Sequence, residues 1–180
     1  MASPQTFAAL LRGINLGGTN KLPMRDLEGL FGSLGHEQVA TYIQSGNVVF
    51  RSAGSDAKRV AAAIESAVAE QFGLDVRVFL RTHAELEAVR SGCPYDDAVH
   101  VVFLDRAPSS ADVKALDPNR SPGDSFDVVG PEIYLNLPTG AGRTKLTLNW
   151  FERRLGIAGT QRNWNTLLKL IAMTGERAGG

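Results

Sequence analysis

Arg12-Gly13-Ile14-Asn15-Leu16-Gly17-Gly18-Thr19-Asn20-Lys21 concentrates the groups best suited to hold a ligand: a cation at each end, two asparagines and three glycines. Guanidinium and ammonium groups pair with phosphate or carboxylate, and glycine lets a backbone approach a ligand closely. The stretch follows an apolar run, Phe7 to Leu11, that reads as a buried strand, and precedes Pro23-Met24, which reads as a helix start. Connections of this kind usually take about 2 to 6 residues, so a longer one points to function. The phosphate-binding P-loop is the nearest mechanistic pattern, but Thr19 stands where its lysine belongs and Lys21 falls two positions late. An anion-binding loop and a surface loop with a solvated Lys21 both fit these residues.

Three further segments carry comparable chemistry. Gln44-Ser45-Gly46-Asn47 has the composition of a hairpin turn and more amide and hydroxyl groups than a turn requires. It lacks the G-x-S-x-G elbow, and His36, His83 and His100 are scattered, with no spacing that supplies a base for Ser45 or a metal site. Thr139-Gly140-Ala141-Gly142-Arg143-Thr144-Lys145 precedes a helix, where free N–H groups and cations can hold an anion. In Thr160-Gln161-Arg162-Asn163-Trp164-Asn165-Thr166, Asn163 suits a helix cap and Trp164 packing, whereas Arg162 and Asn165 suit recognition of a phosphate, a carboxylate or a base edge. The aromatic pattern of an RNA-recognition module is absent from Asn47 to Ser52.

Bulk properties narrow the class. The 180 residues are 43% hydrophobic and 21% charged, an ordinary globular composition. Nineteen basic and nineteen acidic residues give zero formal charge, against broad non-specific nucleic-acid binding. The single Cys93 precludes an internal disulfide and fits a cytoplasmic setting. No basic, apolar leader is visible at Met1 to Thr6, and no apolar run nears the roughly 18 residues of a membrane span.

Periodicity supplies the elements that must position these groups. Met24, Leu27, Leu30, Phe31 and Leu34 form a helical face closing at Gly35, and Val39 to Ile43 and Val48 to Phe50 read as strands. Ser55 or Asp56 caps a helix with Val60, Ile64, Val68 and Phe72 on one side, ending at Gly73; Val76 to Leu80 alternates as a strand. Thr82 and Glu85 form a capping box for a short linking helix. The order then repeats: a strand at Val99 to Leu104, a helix capped by Ser109, a hairpin over Ser125 to Leu137, a helix through Leu148, Phe151 and Leu155, a strand near Ile157 to Gln161 and a last helix from Asn163. Leu146 and Trp150 are expected on the second side of a doubly packed helix, and Trp164, Leu168 and Ile171, with Leu167 beside them, on the buried side of the last.

Two β-α-β-β-α-β units predict an α+β protein with two ferredoxin-like (α/β-plait) domains and an extra C-terminal helix, divided as residues 1–81 and 82–180. Taking the first and third strands of each unit as parallel neighbours puts the 12–21 loop opposite the 44–47 turn, and the 138–145 loop opposite the 160–166 segment. On that expectation the four segments could meet only across the domain interface.

Arg12 to Gly18, Lys21 with Met24, Tyr42 to Phe50, and Thr160 with Arg162 to Thr166 together resemble a bacterial family known as domain of unknown function 1697. The resemblance spans nearly the whole chain, with Thr144-Lys145-Leu146 in place of the family's Ser-Lys-Leu. It implies two α/β-plait domains and that the four polar segments belong together. It implies no activity, because the family has none established.

The leading functional expectation is a cytoplasmic protein binding an anionic or phosphorylated ligand, a nucleotide or nucleic-acid segment, through Arg12, Asn15, Lys21, Gln44, Ser45, Asn47, Lys145, Arg162, Asn163 and Asn165. Two alternatives stand beside it: an enzyme of unknown reaction type, transferase or hydrolase, using Ser45 or an aspartate or glutamate that no motif singles out, and a protein-interaction module using the face around Leu146 and Trp150. No metal, cofactor or membrane partner is expected.

Overall fold

A computed structural model describes residues 3–179. The chain forms two compact units, Met1–Glu87 with Lys169–Gly180, and Ala88–Leu168. This division differs from a single cut after residue 81, because the C-terminal part of the last helix groups with the first unit.

In the first unit the order is β1 (Gln5–Leu11), α1 (Met24–Ser33), β2 (Glu37–Tyr42), β3 (Asn47–Ser52), α2 (Ala57–Phe72) and β4 (Val78–Thr82), with sheet order β2-β3-β1-β4. Phe7 to Leu11 are all buried, so β1 is apolar on both faces, as a central strand requires. Phe7, Ala9 and Leu11 share a core with Leu27, Leu30 and Phe31 of α1 and Val60, Ile64 and Val68 of α2. The Asp56 side chain accepts the Arg59 N–H to start α2, and Gly73 ends it at φ 66°. The capping box forms at α3 (His83–Ser91): the Thr82 N–H donates to Glu85 at 2.7 Å and the Glu85 N–H to the Thr82 hydroxyl at 3.2 Å.

The second unit carries β5 (Val99–Leu104), α4 (Ser110–Lys114), β6 (Ser125–Val129), β7 (Glu132–Asn136), α5 (Leu148–Leu155) and β8 (Gly159–Asn163), with sheet order β6-β7-β5-β8. Each unit is thus a four-stranded antiparallel sheet with helices, the predicted α+β architecture. Leu146 is buried in the core with Phe151 and Leu155, but it precedes α5, which Thr147 caps. Trp150 is half-buried and stacks edge-on against Phe126 and Phe151, with centroids 6.0 and 4.8 Å away. The exposed patch that an interaction module at these two residues would need is therefore absent.

The last helix, α6 (Trp164–Ala178), follows β8 directly. Its buried stripe is Leu167, Leu170, Ile171 and Thr174, which includes the predicted Leu167 and Ile171, whereas Leu168 is exposed, contrary to expectation. Within the first unit its C-terminal half is tied down by His83 Nδ1, 2.9 Å from the Thr174 hydroxyl, and by Arg177 donating to the Gln38 carbonyl at 2.8 Å. The Arg177 bond occupies an edge-strand carbonyl beside the irregularity in β2.

One predicted relationship is reversed. β1 and β3 are antiparallel, with Leu10 opposite Asn47. The chain returns along the sheet through α1, so β1 and β2 are co-directional and β3, the hairpin partner of β2, runs the other way. The 12–21 loop and the 44–47 turn therefore lie at the same end of the sheet. β5 is likewise antiparallel to both β7 and β8, with Val99 opposite Asn136 and His100 opposite Asn163, so the 138–145 loop and the end of β8 also share one end.

Candidate functional site

The loop after β1 is a closed structure. The Asn15 N–H donates to the Asn20 carbonyl at 3.1 Å, and the Asn20 side-chain amide donates to the Gly13 carbonyl at 3.0 Å. Leu16 bridges Thr19 across Gly17 and Gly18, both at positive φ, which is a type I′ turn. These bonds form a neck at Gly13 and Asn20, so Arg12 and Lys21 stand just below it on the two chain segments. Ile14 is buried in the core and Lys21 is exposed.

Asn15 joins this loop to the neighbouring turn. Its Oδ1 accepts the Leu22 N–H at 2.7 Å, and its Nδ2 donates to the carbonyls of Leu22 and Gln44, each at 2.8 Å. The turn is held from the strand side as well, where the Leu11 N–H donates to the Gly46 carbonyl at 2.9 Å. A Cβ at Gly46 would come within 3.1 Å of Leu11 Cβ, at a φ of 76°, so glycine is required for this approach. Asn47 is fully buried and donates to the Tyr42 carbonyl at 3.1 Å and the Ser45 hydroxyl at 2.9 Å. An amide donor cannot take a proton from Ser45, so this contact supplies no catalytic base.

Arg12, Asn15, Lys21, Gln44, Ser45 and Asn47 are thus gathered at one end of the first sheet. Arg77 joins them: its carbonyl accepts the Arg12 N–H at 3.0 Å, and its guanidinium lies 3.9 Å from Glu65. Its position one residue before β4 carries no motif, so no sequence signal marks it. Strain gathers here too. Among the described residues, positive φ outside glycine occurs at Asn15, Asn20, Gln38, Ile43 and Ala98. Three of these five lie in the loop pair, and Ile43, at 49°, is a β-branched residue in the left-handed region. It extends no strand, although its side chain reads as strand-forming in the sequence.

The second unit's candidates are arranged differently. Asp124 is buried and organises the 138–145 loop: its carboxylate accepts the Thr139 hydroxyl at 2.7 Å, the Thr139 N–H at 3.2 Å and the Ser121 hydroxyl at 2.8 Å. Burial pushes its pKa up, but hydrogen bonds from Thr139, Thr144 and Ser121 outweigh this and hold it below the usual aspartate value. The Lys145 N–H donates to Ser121 at 3.0 Å while its side chain is exposed. Several of the loop's donors are therefore already engaged by an anion belonging to the protein.

Arg162 is 8% exposed and donates to the Thr160 hydroxyl at 2.7 Å and the Gln161 carbonyl at 2.9 Å. Burial pushes its pKa down to about 10, which leaves it charged at neutral pH. Asn163 lies on the opposite face of β8, and its Oδ1 accepts the Thr166 N–H at 2.8 Å, the predicted cap of α6. Asn165 is exposed in the first turn of that helix. The structure therefore brings Lys145, Asn163 and Asn165 to one end of the second sheet and withdraws Arg162 into the interior.

Among the described residues, no group of three or more His, Cys, Asp and Glu side chains is placed to hold a metal ion. No described helix is long and apolar enough to cross a membrane.

A family described as "Protein of unknown function (DUF1697)" matches residues 5–134. The solved structure titled as that of conserved bacterial protein SP0830 from Streptococcus pneumoniae is similar to this chain, with a TM-score of 0.72 and 26% identity, covering 96% of this chain and 99% of that one. No curated protein matches the chain.

Proposed function

The chain belongs to the DUF1697 family of bacterial proteins of unknown function, and on that premise we propose that it binds a small anionic or phosphorylated ligand at the loop pair of the first unit. The observation that supports this most is the bond from Asn15 to the Gln44 carbonyl at 2.8 Å. It joins the cation-flanked loop to the Ser45-bearing turn at one end of the sheet. In this reading Arg12 and Lys21 supply charge, Ser45 and Gln44 supply polar contacts, and Asn15 and Asn47 hold the backbone in place. Strain at Ile43 adds support, because unfavourable backbone conformations gather where a binding geometry is held rigid. In the second unit, the exposed side chains of Lys145 and Asn165 are candidates for a separate polar contact. Arg162 acts there through its neighbours rather than at the surface.

The test is a thermal-shift scan of the full chain against inorganic phosphate, ribose 5-phosphate and nucleotides. A ligand at about 100 times its Kd adds about 2.7 kcal/mol to stability. Lys21→Ala and Arg12→Ala should each weaken binding about tenfold, the effect of losing one charge-assisted contact. A flat scan across the whole panel, or binding that both variants leave unchanged, would overturn the reading.

A further inference from the structure

We infer that the ligand of the first unit's loop pair is a free nucleoside phosphate whose base packs against Leu16 and Ile43, an inference that rests on the anion-binding reading above. Among the described residues the exposed large hydrophobic side chains are Leu16, Ile43, Val129 and Leu168. Two of the four adjoin the pair of residues that ties loop to turn: Leu16 follows Asn15, and Ile43 precedes Gln44. Leu16 is 59% exposed and Ile43 is 51% exposed.

Local conformation accounts for neither side chain. Leu16 precedes the two glycines that make the type I′ turn, a position that does not call for a large apolar residue. Ile43 occupies a backbone conformation that glycine or asparagine would adopt at lower cost. The core does not use them either, since Ile14 serves that role for the loop at 1% exposure. Two exposed aliphatic side chains, on the loop that carries Arg12 and Lys21 and on the turn tied to it, match a molecule with an apolar planar part and an anionic end. A sugar phosphate presents hydroxyls to these side chains and would leave them wet, whereas a nucleobase would cover them. The zero formal charge of the chain favours a free nucleotide over a strand, which needs an extended basic footprint.

The experiment measures binding of AMP, ribose 5-phosphate and decaadenylate to the full chain by isothermal titration calorimetry. AMP should bind at least tenfold more tightly than ribose 5-phosphate. Leu16→Ser and Ile43→Asn should each reduce that ratio at least threefold while leaving ribose 5-phosphate affinity unchanged. Ile43→Asn places a residue tolerant of φ near 49° at this position, so a lost preference is not ascribed to a damaged fold. Equal affinities for AMP and ribose 5-phosphate would overturn the base contact and leave the anion-binding reading standing. Binding to decaadenylate alone would overturn the free nucleotide. No binding by any of the three would overturn the inference, and the wider phosphate panel would then decide the anion-binding reading.

Discussion

The Asn15 side-chain amide donates to the Gln44 carbonyl across 2.8 Å, a link between residues 29 positions apart in the chain. The same side chain makes two bonds with the backbone of Leu22, so one asparagine sets both the closure of the loop and its distance from the turn. Its three bonds all go to backbone groups. Asn15, one of the expected ligand contacts, is thus the residue that holds the site's shape.

Asn15→Ala should therefore loosen both segments at once. Removing these bonds is expected to cost roughly 2–3 kcal/mol, taking about 1 kcal/mol for each. Chemical denaturation would measure the loss, and hydrogen exchange at the Leu22 amide should accelerate. An unchanged midpoint with Leu22 still protected would show that backbone bonds alone close the loop.

His36 predicts an acid sensitivity of the first unit. It packs against Phe31 and Phe50, its Nε2 is buried without a hydrogen-bond partner, and burial lowers its pKa below the ordinary 6.5. The unfolded chain then binds a proton more readily than the folded one, so stability rises with pH. This contribution is complete above about pH 6.5 and is lost as pH falls towards the folded-state pKa. His36→Phe should flatten stability between about pH 7 and pH 5, measured by urea unfolding at each pH. A variant that keeps the wild-type slope would assign the effect elsewhere, with half-buried His100 the next group to replace.

Asp124 makes a corresponding prediction for the second unit. Its folded-state pKa is lowered, so its contribution is present above the ordinary value of 3.8 and is lost as pH falls through the folded-state pKa. Asp124→Asn removes the charge that three hydroxyls and an N–H address, at a cost of roughly 1–3 kcal/mol. Increased proteolysis within residues 138–145 should accompany it. A loop as resistant as the wild type would show that Asp124 does not hold it.

Element boundaries were largely legible because they depend on neighbouring residues. Asp56, the Thr82–Glu85 pair, Ser109 and Asn163 all cap helices where their side chains sit close to free N–H groups. Glycines at 35 and 73 adopt the left-handed conformation expected after a helix. Strand direction required one more step, the return of the chain through α1 that makes β2 run with β1, and without it the 12–21 loop is placed at the wrong end of the sheet. On α6 only Leu168 falls off the predicted buried side, since 167 and 171 share a face with 170 and 174 and leave 168 at its edge.

By itself, the sequence determined two β-α-β-β-α-β units with their caps and turns, because spacing and short-range bonding specify these, and its motifs carried the family resemblance. Tertiary structure decided which polar groups meet and which remain at the surface. Pairing β1 with β3 brought Asn15 to Gln44, burial took Arg162 out of the exposed set, and Asp124 engaged a loop that read as an anion site. Ile43 acquired its exposure and its strained φ in the same way. Each depends on contacts between distant segments, and these arise only when the sheet is assembled.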